Sequence, residues 1–247
     1  QLQTQALQAK HFIDRYDALV ALRKTAPELK SDFLIALFDK NNYYPIQQEI
    51  IYQLRKPKTD AELALFQKAI NHHNLYVRRA AIEYIDSIPE AQLNHYEQLL
   101  RDSSYITIET TLQKLCKLFP NQKAKFLDAT KNIDGINRNV EITWLSIKAA
   151  DEPETYARKL VTLTSNSYEF RTRTKAMNAL ENLNYFNDEL VANLIDAATN
   201  PNSRLANPAA NTIRYFLKRD KFKELYNAKI AVGNYPAWAT QILNNIK

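Results

Sequence analysis

Proline recurs along this chain at an almost constant interval, and that interval restricts the fold more than any other feature. Pro27, Pro57, Pro89, Pro120 and Pro153 are separated by 30, 32, 31 and 33 residues. Two further steps of similar length reach Asn187-Asp188 and Asp220, residue types that start helices well. Proline cannot continue a helix interior and is favoured in its first turn, so these positions read as corners between helices. A second series runs between the corners: one residue, then a small or aliphatic one three later, then an aliphatic one seven later. It reads Arg15/Ala18/Leu22, Gln47/Ile50/Leu54, Arg78/Ala81/Ile85, Ile108/Thr111/Leu115, Arg138/Glu141/Leu145, Arg173/Ala176/Leu180 and Ala206/Ala209/Ile213. The steps are 32, 31, 30, 30, 35 and 33 residues, and the fifth set fits least well. Such spacing places each set on one helix face, and a small middle residue lets a neighbouring helix come close.

A second amphipathic run lies between each corner and each marked helix, at 61–70, 91–100, 124–130, 156–163 and 190–198. The turns into the marked helices are polar: Asn41-Asn42, Asn71 to Asn74, Asp102-Ser103-Ser104, Ser165-Asn166-Ser167 and Asn200-Pro201-Asn202-Ser203. Their side-chain oxygens are expected to cap the helix that follows. Each unit is thus helix, turn, helix, and one such pair cannot bury its apolar face alone, so the units must stack. The fold expected is all-α, a right-handed solenoid of about seven short helix pairs. Residues 1–247 read as a single α-helical repeat domain, with the segment from Phe222 onward (Tyr226, Ile230, Pro236, Trp238, Ile242) capping the last pair.

Composition narrows the function classes. The chain has only two glycines, Gly135 and Gly233, which rules out a P-loop and a dinucleotide-binding Rossmann fingerprint. Tight connections must then use Asn, Asp and Pro. No stretch is apolar for long enough to span a bilayer. Gln1 rather than Met opens the chain, which suggests a trimmed or processed piece of a larger protein. The net charge of +6 is uneven: residues 1–157 balance 20 Lys/Arg with 20 Asp/Glu, whereas residues 158–247 hold 13 against 7. A surplus on helices is most simply a solvated face, although it can attract an anionic partner.

Candidate chemistry is sparse. His72 and His73 are adjacent, so on a helix they diverge by roughly 100° and do not share an ion easily; they read as solvated turn residues, with His11 and His95 elsewhere. Cys116 lies in an apolar helical run and reads as a buried structural thiol. Asp151-Glu152 and Asp188-Glu189 fall at helix starts, where the helix dipole accounts for them. The recurring arginines Arg15, Arg78, Arg138 and Arg173 have two readings. One is a structural ladder bridging turn oxygens of adjacent repeats; the other is a row of cations lining a concave groove. The ladder needs nothing beyond the repeat and is preferred. Tyr43, Tyr44, Tyr76, Tyr105 and Tyr168, at or before second helices, likewise read as packing between repeats. No catalytic or metal-ligating set emerges.

The marked helices resemble HEAT-type repeats, most clearly in Leu75-Tyr76-Val77-Arg78-Arg79-Ala80-Ala81-Ile82. Three segments resemble the C-terminal helical domain of bacterial zinc aminopeptidases of the aminopeptidase N family: HFIDRYDALVAL from His11, IQQEIIYQL from Ile46 and NPNSRLANPAANTIRYF from Asn200. That resemblance implies a non-catalytic domain that walls the substrate cavity of a metallopeptidase and limits which peptides enter. The family's H-E-x-x-H and G-x-M-E-N motifs are absent, so none of its catalytic residues maps onto this chain. Zinc would belong to the catalytic domain of the parent, and this chain would hold no cofactor. Its partners would be that upstream domain and the parent's peptide substrates, in bacterial cytoplasm or periplasm; nucleic acid is not expected. Two other readings suit the same architecture: a DNA-binding HEAT protein such as an alkylpurine DNA glycosylase, and a free-standing scaffold that grips a protein.

Overall fold

A computed structural model of the chain describes residues 1–25, 31–133 and 137–246; Pro27 and Gly135 fall outside the described residues. Among the described residues the regular structure is sixteen α-helices and four short 3₁₀ turns, with no strand. The corners fall where the proline interval puts them. Pro153 opens a helix, Pro120 opens a 3₁₀ turn and Pro89 precedes one. Asn187 caps one helix through the Leu190 amide (2.8 Å), and Asp220 begins another.

The helices fall into two compact units, Gln1–Thr130 and Lys131–Lys247, a division that no feature of the composition marks. The first contains α1 (Leu2–Gln8), α2 (Phe12–Thr25), α3 (Ser31–Lys40), α4 (Tyr44–Gln53), α5 (Asp60–Ile70), α6 (Leu75–Tyr84), α7 (Leu93–Glu97), α8 (Tyr105–Leu118) and α9 (Lys123–Thr130). Its second helices α2, α4, α6 and α8 pack in succession, and so do the first helices α3, α5 and α7. The second unit contains α10 (Arg138–Ala149), α11 (Pro153–Thr162), α12 (Phe170–Asn182), α13 (Asp188–Ala198), α14 (Ser203–Phe216), α15 (Asp220–Val232) and α16 (Ala237–Asn245). There α10, α12 and α14 form the second-helix row, α11 packs on α10 and α12, and α13 packs on α14, α15 and α16. Each unit is therefore a stack of helix pairs.

The three-residue marker holds these rows together. Its middle members Ala18, Ile50, Ala81, Thr111, Ala176 and Ala209 are all buried, as are all seven of its last members. Small side chains at the crossing let the axes approach, and the aliphatic residue one turn on fills the space beside them. Glu141 is the exception; it stays partly exposed.

Capping follows the polar turns in part. Asn74, Ser104 and Asn202 cap α6, α8 and α14, and Asn137 caps α10. Two expected caps are displaced. The Asn41 side chain turns back, donating to the Leu37 carbonyl (2.8 Å), and Tyr43 takes the position before α4 without a side-chain cap. At α12 the cap is Glu169 rather than Ser165 to Ser167, its carboxylate accepting the Arg171 and Thr172 amides at 2.7 and 2.8 Å. The three bonds from Arg171 and Thr172 hold its carboxyl below the usual carboxylate range, against burial.

The run 91–100 is not one α-helix: a single turn of α7 sits between 3₁₀ turns at Glu90–Gln92 and Gln98–Arg101. Its buried residues Leu93, Tyr96 and Leu99 recur every third position, and three residues per turn aligns them on one side. Just past α12 the chain turns through Asn184 at φ 52°, a conformation for which glycine is the usual residue. Asn184 and Tyr185 donate to the Glu181 and Leu180 carbonyls, both at 3.0 Å, a glycine-type C-cap that asparagine tolerates. Pro208 lies inside α14, which continues through it; burial of Leu205, Ala209, Thr212 and Ile213 offsets the lost backbone bond.

Beyond α14 the chain closes over an aromatic stack. Phe216, Phe222 and Tyr226 are fully buried, with ring centroids 5.2 and 6.2 Å apart along the series, and the Tyr226 hydroxyl donates to the Leu243 carbonyl at 3.0 Å. Trp238, by contrast, is 55% exposed. Phe216→Ala is expected to destabilise the protein by about 3–5 kcal/mol in urea denaturation, because the hole opens in the middle of this stack.

Candidate functional site

Three of the four recurring arginines make the same kind of contact. Arg78 on α6 donates to the His72 and His73 carbonyls of its own turn (2.8 and 2.9 Å), and grips Asp102 of the next repeat through Nε and Nη2 (2.6 and 3.1 Å). Asp102 is almost wholly buried, and hydrogen bonding to it raises the Arg78 pKa further. Arg173 on α12 is 3% exposed. It donates to the Thr164 carbonyl at 2.9 Å and to Asp196 on the next first helix at 2.7 Å. Arg15 donates to the Ala9 carbonyl (2.6 Å) and to Asn41 Oδ1 (3.4 Å). Each guanidinium thus ties a carbonyl preceding its own helix to an oxygen some two dozen residues later. Arg138 differs: its guanidinium binds Glu141 on its own helix and lies 5.5 Å over the Tyr168 ring.

The His72 and His73 rings lie 4.2 Å apart, tilted by 32°, in the turn before α6. His72 Nδ1 accepts the Asn74 amide at 3.1 Å and the ring borders Gln47 on α4, so it is an anchored, half-buried turn residue rather than a solvated one. Burial first, then the charges of His73, Arg78 and Lys68, hold its pKa below 6.5. Among the described residues no three His, Cys, Asp or Glu side chains converge so as to hold a metal ion. Cys116 is buried, which pushes its thiol up to about 11, a poor nucleophile near neutral pH.

Of the tyrosines at second-helix starts, Tyr43, Tyr44 and Tyr76 pack against rings of neighbouring repeats. Tyr44 stacks on Tyr76 at 4.8 Å, and Phe12 meets Tyr43 at 4.0 Å. Their outer edges stay open, with Phe12, Tyr76 and Tyr105 each more than 40% exposed. Along the same helices lies a cleft of about 300 Å³ lined by Tyr16, Arg23, Pro45, Gln48, Glu49, Tyr52 and Tyr84. The Tyr52 ring is flanked by Arg23 and Arg55 at 4.9 and 4.8 Å and meets Tyr84 edge-on. Buried Glu49 accepts from Arg23 (3.1 Å) and Gln53 (2.9 Å). Burial, then nearby carboxylates, raise the Tyr84 pKa, so its hydroxyl stays protonated at neutral pH. The cleft offers phenols, half-exposed guanidinium and aromatic faces, which suit reversible contact with peptide groups. Sequence reasoning did not single out Tyr16, Tyr52 or Tyr84, because they occupy different offsets from the marker in their three repeats.

In the second unit a cleft of about 380 Å³ lies between α10 and α11, lined by Glu141, Trp144, Leu145, Tyr156, Lys159, Thr162, Leu163 and Tyr168. Tyr168 is thus part of a cavity wall. The signal that could have found this cleft is the poor fifth marker, where Glu141 replaces a small residue.

This fold and these surfaces define a HEAT-like helical-repeat protein. No family model and no curated protein matches the sequence. Among solved structures, the chain is similar to Kap121p bound to Nup53p, with TM-score 0.63 and 12% identity over 99% of this chain and 32% of that one. It is likewise similar in fold to the karyopherin Kap121p bound to the extreme C-terminus of the protein phosphatase Cdc14p (TM-score 0.62, 11% identity, 99% of this chain and 33% of that one covered). It is also similar to the CpcE–CpcF complex of phycocyanin lyase from Nostoc sp. PCC7120, with TM-score 0.52, 15% identity and 92% of each chain covered. The chain spans about a third of the length of the karyopherin.

Two outcomes follow from this geometry. Arg173→Ala orphans buried carbonyls and is expected to cost at least about 2 kcal/mol in urea denaturation, whereas Arg138→Ala, whose pair is exposed, should cost no more than about 0.5 kcal/mol. For His72 the lowered folded pKa means that the unfolded chain binds more protons below pH 6.5, so stability falls as pH drops through that value. His72→Gln should flatten the decline between about pH 7 and 5 in denaturant midpoints.

Proposed function

We propose that this chain is a non-catalytic helical-repeat domain that holds polypeptide by reversible contact, and that its parent is a zinc aminopeptidase whose substrate cavity it walls. The observation that carries the binding reading is the cleft across α2, α4 and α6. Its phenols, aromatic faces and arginines can hold a peptide and include no activated nucleophile. The parentage rests on the three segments beginning at His11, Ile46 and Asn200, the first two of which supply Tyr16, Gln48, Glu49 and Tyr52 to that cleft. In such a parent the domain would restrict peptide entry while zinc and the catalytic groups stay on the upstream domain.

The karyopherin neighbours, solved bound to Nup53p and to a Cdc14p terminus, favour a second reading: a scaffold that grips a protein without any enzyme attached. The complete reading frame separates the two. A metallopeptidase domain upstream of Gln1 supports the first, and a start codon there supports the second. Purified alone, the chain is expected to carry no stoichiometric zinc by elemental analysis and to leave an aminoacyl reporter uncleaved. Tight zinc or turnover overturns the accessory-domain reading. DNA binding that weakens steeply with salt would point instead to the nucleic-acid alternative.

A further inference from the structure

The cleft between α10 and α11 lies where the repeat rule is broken. In six of seven repeats the middle marker residue is buried; at the fifth it is Glu141, drawn to Arg138 on the same helix. Glu141 instead lines the cleft, beside Trp144 and Leu145 of the same helix. The cleft is walled by a corner of rings: Trp144 and Tyr156 meet at 70° with centroids 5.8 Å apart, and Tyr168 comes in from the turn before α12. A third ring entering such a corner can stack on one wall and meet the other edge-on, the two arrangements that aromatic pairs prefer. A volume of about 380 Å³ is at the small end of ligand clefts, enough for one anchoring side chain.

Charge decides which anchor fits. An aromatic corner with a carboxylate resembles a cage for an ammonium ion, but cations of its own already lie within 6 Å of its ring centroids. Lys148 Nζ lies 5.9 Å from Trp144 and 5.3 Å from Tyr156, Lys159 Nζ lies 5.2 Å from Tyr156, and Arg138 sits over Tyr168. Two of these are neutralised, Arg138 by Glu141 and Lys148 by Glu152 at 3.7 Å. Lys159 has no carboxylate partner among the described residues. The rim thus carries one uncompensated positive charge beside an aromatic hollow, so a cationic ligand meets repulsion and an acidic one meets a partner.

We infer that this cleft docks an acidic peptide segment, with an aromatic side chain of that segment in the ring corner and a flanking carboxylate on Lys159. The inference rests on the polypeptide-holding reading above and is independent of the aminopeptidase parentage. An inorganic anion could pair with Lys159 but would leave the ring corner empty, so it should compete only weakly.

The chain contains two tryptophans, so a Trp238→Phe variant leaves Trp144 as the sole indole and a reporter inside the cleft. Titration with the blocked peptide Asp-Glu-Phe-Glu-Asp at low salt is expected to give a saturable change in Trp144 emission. Replacing the peptide's Phe with Ala, or introducing Lys159→Glu, should each weaken binding about tenfold or more. Lys159 is exposed, so that variant should fold, and circular dichroism checks it. Tyr156→Ala tests the ring corner separately. Equal binding of the Lys-Arg-Phe-Arg-Lys peptide, or inorganic phosphate displacing the acidic peptide at equal concentration, overturns the inference. Peptide binding seen by calorimetry that neither Lys159→Glu nor Tyr156→Ala weakens also overturns it, while leaving the broader polypeptide-holding reading intact. No peptide binding by any probe removes both.

Discussion

A helix of ten residues is about 15 Å long, and a pair of them has too little apolar surface to overcome the entropy of ordering its own backbone. Everything in this protein depends on each pair lending its apolar face to the next. The second-helix rows meet across Ala18, Ile50, Ala81, Thr111, Ala176 and Ala209, every one buried. Close approach of helices brings their connecting turns close as well, and turns carry carbonyls with no partner in a helix. Arg15, Arg78 and Arg173 answer that need: a planar fork with five donors can reach a carbonyl of its own repeat and an oxygen of the next at once. Packing and polar satisfaction are thus two aspects of one geometric repeat.

The same constraint identifies where the surface is free to do something else. Where the marker is kept, the crossing is sealed and its arginine is spent on the turn. Where Glu141 interrupts it, Arg138 is held on its own helix, and Glu141 itself lines a cleft with Trp144, Tyr156 and Tyr168. In the first unit the opening arises differently. The rows stay sealed, and Tyr16, Tyr52 and Tyr84 line a hollow along α2, α4 and α6. Both surfaces combine aromatic faces with guanidinium or ammonium groups.

Legibility from sequence followed periodicity. The corners at Pro89, Pro120 and Pro153, the starts at Asn187 and Asp220, and all seven marked helices were readable, because proline and apolar spacing act on the local backbone. The caps were half readable: Asn74, Ser104 and Asn202 act as the turn composition implies, while Asn41 and Ser165 to Ser167 give way to Tyr43 and Glu169. Several side chains in each turn could serve, and packing chooses among them. The run 91–100 looked like an ordinary amphipathic helix, yet Leu93, Tyr96 and Leu99 recur every third residue and the backbone tightens to match.

By itself, then, the sequence determined a stack of all-α helix pairs, its period and the positions where helices touch, since these follow from residue spacing along one chain. It also raised the arginine series as a question with two answers. Only the tertiary structure decided which oxygens those guanidiniums reach, that Arg138 leaves the series, and that Trp144, Tyr156 and Tyr168 share one hollow. Those facts join residues up to thirty positions apart, and their side-chain directions depend on how one pair rotates against the next. No local pattern in the sequence encodes that rotation.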